Sequence, residues 1–256
     1  MSELRIYSPE YYRALHDIER RHPWARAMRR LEITLIDRHL SPGRARTFDA
    51  GCGAGVFLAE LTAVHPGVQP YGGDVSRHAL RLAMQAGHGR LAELDVRQLP
   101  LADATFDLLL SNDVLQHLGQ AGAAEALAEA RRVLRPGGLL VIRTAARRGI
   151  LWRRHRDTDD YCQWSRRAFK RLLVDSGFEP RFVARVNWLP GLLADLRGLF
   201  AARPVGDVGM ELRADEPIWK ERLLEVYWRW ERRLLLWLRL RLPLGHNLVA
   251  VAKKPA

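Results

Sequence analysis

From Ala45 onward, short apolar runs alternate with stretches of helical spacing, and this alternation leaves the chain few architectures. "ARTFDAG" reads as a strand, 55–65 as a helix, "VQPYGGD" as a strand, 76–87 as a helix and "RLAELD" as a strand ending on Asp95. Then "FDLLLSN" is a strand, 121–135 a helix and "GGLLVIRT" a strand. "SRRAFKRLLVDSG" follows as a helix that Gly177 closes, since glycine readily takes the left-handed conformation that ends a helix. Strands that alternate with helices predict a doubly wound α/β fold with a mostly parallel sheet.

The two ends break the rhythm. Residues 9–40 read as helix before the first strand, and "FEPRFVARVN" reads as a sixth strand after the last helix. The next strand-like run, "HNLVAVAKK", comes only at the end, and the roughly 55 residues between exceed common connection lengths. They hold "WLPGLLADLRGLF" and "EPIWKERLLEVYWRWERRLLLWLRLRL", both with helical spacing, so inserted helices are expected.

The turn after the first strand, "TFDAGCGAGVFLAEL", packs Gly51, Gly53 and Gly55 into five positions. In a doubly wound sheet this turn brings backbone N–H groups and a helix N-terminus to a ligand. A dinucleotide fingerprint would require glycine at position 56, where the chain has Val56; Asp49 stands instead two residues before the first glycine. An acid there favours a ligand with an ammonium group over a pyrophosphate. Asp74 closes the second strand, where a carboxylate accepts from ribose hydroxyls. Asp95 at the end of the third strand could accept from an exocyclic adenine amine while Val96 packs on the ring, or be a solvated turn residue.

"TFDAGCGAGVFLAEL", "YGGDVSRHALRLA", "LDVRQLPLADATFDLLLSNDVLQHL" and "ARRVLRPGGLLVIRT" together resemble the successive motifs of class I S-adenosylmethionine-dependent methyltransferases, particularly the branch with quinone-biosynthesis methyltransferases. The resemblance covers about residues 44–146. It implies a Rossmann-like sheet of seven strands, the last running antiparallel beside the sixth, and S-adenosylmethionine as cofactor. By that resemblance Asp49, Gly51, Gly53 and Gly55 line the methionine side, Asp74 binds the ribose, Asp95 and Val96 bind adenine, Asn112 faces the methionine moiety, and Cys52 and Val75 belong to the same cofactor site. The expected organisation is an N-terminal helical lid over 1–42, a cofactor-binding core over 43–187, a helical insert or cap over 188–244, and a final strand over 245–256.

Methyl transfer from a sulfonium is an in-line displacement in which positioning supplies much of the acceleration. A base matters only when the acceptor is a hydroxyl or an acidic carbon. His117 in "NDVLQHL" is one candidate, with a packing histidine as the competing reading. The cluster "LWRRHRDTDDYCQW" holds the others: His155, Asp157, Asp159 and Tyr161, against a solvated loop of mixed charge. If the N-terminal helices form the lid, Tyr11, Trp24 or Arg26 would lie near the methionine carboxylate.

The formal charge of +12 and pI near 10.5 suit a polyanionic partner, nucleic acid or an anionic membrane, but only Lys170, Lys220, Lys253 and Lys254 are lysines, which also fits an arginine-favouring coding bias. Cys52 and Cys162 lack metal-type or framework spacing, so no metal site is expected and a reducing cytosol is the default setting. The N-terminus has no apolar h-region, and no apolar run reaches the roughly 18 residues of a spanning helix.

Trp219, Tyr227, Trp228, Trp230 and Trp237, interleaved with arginines, read as a core helix, as a cap lining an apolar acceptor pocket, or as an interfacial helix. The expected function is methyl transfer to a small apolar or aromatic metabolite, with a cytoplasmic location and peripheral membrane contact as an option. The alternatives are an RNA methyltransferase, in which aromatics stack on bases, a membrane-associated lipid-like acceptor, and a non-catalytic cofactor-binding module.

Overall fold

The computed structural model describes residues 9–40, 43–147, 161–193, 218–238 and 243–256. Helices α1 (Pro9–Arg21) and α2 (Pro23–His39) precede the sheet. The stretch expected to be helical divides into two at His22, whose extended backbone and Nδ1, accepting from Trp24 N at 3.1 Å, cap α2 with Pro23 in its first turn. Then follow β1 (Ala45–Ala50), α3 (Val56–Val64), β2 (Val68–Asp74), α4 (Arg77–Gln85), β3 (Leu91–Glu93) and β4 (Phe106–Asn112). A short 3₁₀ turn (Leu115–His117) leads into α5 (Gly119–Val133), β5 (Leu134–Ala145), α6 (Arg166–Asp175) and β6 (Glu179–Val186). Residues 188–193 are helical, α7 spans Ile218–Leu236 and β7 spans Asn247–Lys253.

The sheet has seven strands in the order β3-β2-β1-β4-β5-β7-β6. Pairings from β3 through β5 are parallel, and β7 runs antiparallel to both β5 and β6. The expected strands are all present, with one shortened: β3 stops at Glu93, so Asp95 lies in the turn beyond it and forms an isolated bridge with Gln98.

Period-two burial explains why both sheet faces are covered. In β5, Leu140 and Ile142 join one cluster with Leu127 of α5 and Phe169 of α6, while Leu139 and Val141 join another with Leu35 of α2 and Leu235 of α7. β7 repeats the split, Leu248, Ala250 and Ala252 against Val249 and Val251. Each leucine fully buried in these layers contributes about 2 kcal/mol by area. The order reverses at β1 and β4, so the carboxyl ends of these two neighbours form the crevice where such sheets bind ligands.

The inner face of α7 belongs to the core. Trp228 is buried and donates Nε1–H to Asn187 Oδ1 at 3.1 Å, and Asn187 Nδ2 donates to Asn247 Oδ1 at 2.8 Å. Glu231 accepts from Trp188 N at 3.2 Å and from the Tyr227 hydroxyl, which in turn accepts from Leu189 N at 3.0 Å. Trp230 and Trp237 point outward, and the Trp219 side chain lies outside the described residues.

Candidate functional site

The glycine turn at the end of β1 is built from left-handed backbone. Gly51, Gly53 and Gly55 have φ of +88°, +53° and +75°, a region in which a side chain is strained. Gly51 N and Cys52 N both donate to Gly73 O, at 2.8 and 3.0 Å, tying the turn to β2. Gly55 precedes α3 and makes no side-chain cap, so among the described residues no cap side chain claims the first amides of that helix. Asp74 bridges two turns: Oδ2 accepts from Gly53 N at 2.9 Å and Oδ1 from Ser76 N at 2.8 Å. Burial raises its pKa, against the pull of these backbone donors. Val75 N–H adds a third backbone donor, which leaves the four-site carboxylate room for one more.

Cys52 takes part through its backbone N–H and through its thiol, which donates to Gly53 O at 3.8 Å. Its thiol turns inward against Leu58 and Leu80, near enough to Gly72 that a Cβ there would meet Sγ at 2.8 Å, and burial pushes its pKa up.

Asp49, 3% exposed, is the penultimate residue of β1, and its Oδ1 is buried without a hydrogen-bond partner. Burial raises its pKa well above the carboxylate range, and Glu19, Glu32 and Asp74 push the same way against Arg143. Arg143 of β5 organises this group. Its Nη1 donates to Glu32 Oε1 at 2.8 Å, and its Nε and Nη2 donate to Asp113 Oδ2 at 3.0 and 2.8 Å. The Trp24 ring lies 5.2 Å from its guanidinium. Asn112 Nδ2 donates to Glu32 Oε2 at 2.9 Å, leaving Asn112 Oδ1 and Asp113 Oδ1 as further buried acceptors without partners. Burial lifts Glu19 and Glu32 to about 7 each. Glu19 reaches down from α1, and its Oε1 lies 4.0 Å from where a Cβ on Gly53 would stand. Arg29 holds α1 there by donating Nη1–H to Glu19 O at 2.7 Å, while its Nε meets Glu60 at 2.5 Å.

Glu19, Glu32, Asp49, Asp74 and Asp113 thus converge on a crevice in which Arg143 is the main interior cation. Such an excess of buried acid, with acceptors left open, can stabilise a ligand cation in a low-dielectric place.

The other expected residues each stand by their own contacts. Val75 is exposed at the end of β2, and Val96 packs half-buried against the core. Asp95 makes a forked pair with Arg97, Nε to Oδ1 at 3.0 Å and Nη2 to Oδ2 at 2.5 Å, and that bond chiefly lowers its pKa. His117 and Tyr161, from separate stretches, come together edge to face with ring centroids 5.5 Å apart. Gln116 is the reason: its backbone O accepts from Cys162 N at 2.7 Å, and its Oε1 accepts from Thr144 Oγ1 and Ala145 N at 3.1 and 3.0 Å. His155, Asp157 and Asp159 lie outside the described residues. A cavity of about 400 Å³ lined by Leu58, Pro70, His88 and Arg90 includes none of these acids in its wall and lies apart from the crevice.

Residues 48–142 match the methyltransferase domain family. In this stretch the chain is similar to S-adenosylmethionine-dependent methyltransferases. It is 37% identical over 111 residues to the malonyl-[acyl-carrier protein] O-methyltransferase of Methylococcus capsulatus, covering 42% of this chain and 40% of that one. Over 103 residues it is 36% identical to the ubiquinone/menaquinone biosynthesis C-methyltransferase UbiE of Desulfotalea psychrophila, covering 39% of this chain and 41% of that one. The match therefore spans well under half the length of either relative. Geranyl diphosphate C-methyltransferase from Streptomyces coelicolor, solved with Mg²⁺, geranyl diphosphate and S-adenosyl-L-homocysteine, shares the fold at TM-score 0.54 and 16% identity, over 87% of this chain and 76% of that one.

Around the glycine turn, sequence reasoning missed Glu19, Glu32, Asp113 and Arg143. The available signal was charge in apolar surroundings: Glu32 interrupts "LEITLI" and Arg143 interrupts "LLVIRT", and charged residues are seldom fully buried unless paired. Glu19 sits in a charge-rich helix and carried no such mark.

Proposed function

We propose that the protein transfers the methyl group of S-adenosylmethionine to a small apolar or aromatic metabolite held between the N-terminal helices and the insert. The observation that carries this reading is Asp49 Oδ1, a buried carboxylate oxygen without a partner just before a bare glycine turn and among four other acids. Buried polar atoms are paired in nearly all proteins, so an open one at a sheet crevice marks a place for a donor. When bound, S-adenosylmethionine supplies an electrophilic methyl on a sulfonium, for which orientation is the main requirement.

In this reading Asp49 takes the ammonium group and Asp74 accepts from a ribose hydroxyl at the one site that Gly53, Ser76 and Val75 leave. Val96 packs on the purine, Val75 belongs to the same cofactor site, and Asp95 divides its acceptor capacity between Arg97 and the exocyclic amine. Asn112 offers Oδ1 to the methionine end. Helices α1 and α2 exclude water, with Glu19 facing the cofactor. His117, steadied by the edge of Tyr161, removes the proton of a hydroxyl or acidic-carbon acceptor.

The test is transfer of labelled methyl to a panel of phenols, quinols and acyl carboxylates, with S-adenosylhomocysteine affinity measured in parallel. Turnover is expected on one of these classes, with His117→Ala lowering kcat by about 10²–10⁴ while cofactor affinity holds. A protein that binds the cofactor product yet methylates only RNA, or none of the panel, contradicts the acceptor assignment.

A further inference from the structure

We propose that the outer face of α7 docks the protein on an anionic lipid surface, with the helix lying flat in the headgroup layer. This rests on surface features away from the acid crevice and stands independently of the methyl-transfer reading.

The two faces of α7 differ sharply. The inner row, Leu224, Trp228, Glu231 and Leu235, packs on the sheet. The outer row, Leu223, Val226, Trp230 and Trp237, falls at spacings of three, four and seven residues and so forms one stripe along the helix. Trp230 is 57% exposed and Trp237 78%, and Leu238 beside it is also exposed. Trp237 N still donates to Arg233 O at 2.8 Å, so the stripe continues past the last helical residue.

Arg222, Arg229 and Arg233 form a parallel row along one flank of this stripe. The Arg233 guanidinium stands 5.7 Å from the Trp230 ring centroid. Arg30 of α2 extends the same positive field: Arg232, partly buried, feels Arg30, Arg229 and Arg233 as like charges.

An apolar stripe with two tryptophans beside a row of arginines is the composition of a helix that lies in a membrane interface, its rings at headgroup depth and its guanidinium groups on phosphates. No described helix is long and apolar enough to cross a membrane, so α7 would lie on the surface. The net charge of +12 draws the chain toward an anionic leaflet. A second copy fits less well, because a twofold contact through this face would bring two arginine rows together. Nucleic acid fits less well too, since Leu223 and Val226 offer a base no ring to stack on.

The test is cosedimentation of the full chain with vesicles of phosphatidylcholine alone and of phosphatidylcholine with phosphatidylglycerol, at low and high salt. Binding is expected only to the mixed vesicles and should weaken with salt. Trp230→Ala with Trp237→Ala should lower partitioning by about tenfold or more, and Arg229→Glu with Arg233→Glu should abolish the preference for anionic lipid. All four side chains are exposed or on the outer face, so thermal unfolding should be unchanged, and this is checked for each variant. Absence of binding to mixed vesicles overturns the proposal, as does equal binding by the tryptophan variant. Sedimentation velocity without lipid that shows a dimer lost in the same variants assigns the face to a second copy and also overturns it. Displacement of the protein from every vesicle by RNA, with tight RNA binding lost in the variants, does the same in favour of nucleic acid.

Discussion

Arg143 Nη1 donates to Glu32 Oε1 at 2.8 Å, so β5 and α2 meet through a charged pair 111 residues apart in sequence. Glu32 is fully buried and Arg143 nearly so, and Asp113 shares the same guanidinium. Arg143→Met would leave two carboxylates without their cation. At a pH near 8 it should destabilise the protein by about 3–5 kcal/mol, the usual result of removing one partner of a buried pair. The double variant Arg143→Met, Glu32→Gln should lose less than the sum of the two single changes. Equilibrium urea unfolding of the four proteins measures both quantities.

Burial raises Glu32 and Glu231 from 4.5 to about 7. Between those values the folded protein holds protons that the unfolded chain has released, so these groups make stability fall as pH rises through that window. Glu231→Gln removes one of them without emptying the acid crevice. The urea midpoint of the wild type should drop from about pH 5 to about pH 7 more steeply than that of the variant. Parallel profiles would show that Glu231 titrates normally.

The same acids govern ligand affinity. Glu19, Glu32 and Asp49 are all raised, and a bound cation favours their ionised forms. Affinity for a ligand with an ammonium group should therefore rise with pH up to about 8, and binding should release protons. Calorimetry in buffers of different ionisation enthalpy counts those protons.

Gly51 and Gly53 make a contrast that tests the turn itself. A Cβ on Gly51 would stand 2.2 Å from Val114 Cγ2, whereas on Gly53 nothing comes nearer than Glu19 Oε1 at 4.0 Å. Gly53→Ala should cost only the left-handed penalty of about 1–2 kcal/mol. Gly51→Ala should cost clearly more and abolish cofactor binding, and adding Val114→Ala should recover part of the stability. Thermal unfolding of the three variants ranks them.

The parts legible in the sequence were those with a local pattern. Strands such as β5 and β7 alternate sides every residue, and Gly51, Gly53 and Gly55 stand where a left-handed turn must be. Asp49 and Asp74 were legible because each stands at or next to the carboxyl end of a strand. The charged pairings were not legible, because nothing near Glu32 indicates that Arg143 will face it after the sheet forms. β3 came out shorter than its apolar run because Asp95 bonds Arg97 within a turn instead of continuing the ladder. The aromatic insert helix had three readings because its spacing permits two faces. Only contact with Asn187 and Trp188 selects Trp228 as the buried ring and leaves Trp230 outside.

If the acid-lined glycine turn holds the S-adenosyl cofactor, calorimetric titration of the folded protein with S-adenosylhomocysteine, wild type beside Asp74→Ala and Asp49→Asn, should show saturable one-site binding by the wild type and a loss of about tenfold or more in each variant. Absence of heat at about 100 μM ligand in the folded wild type, or equal affinity in all three proteins, would contradict it.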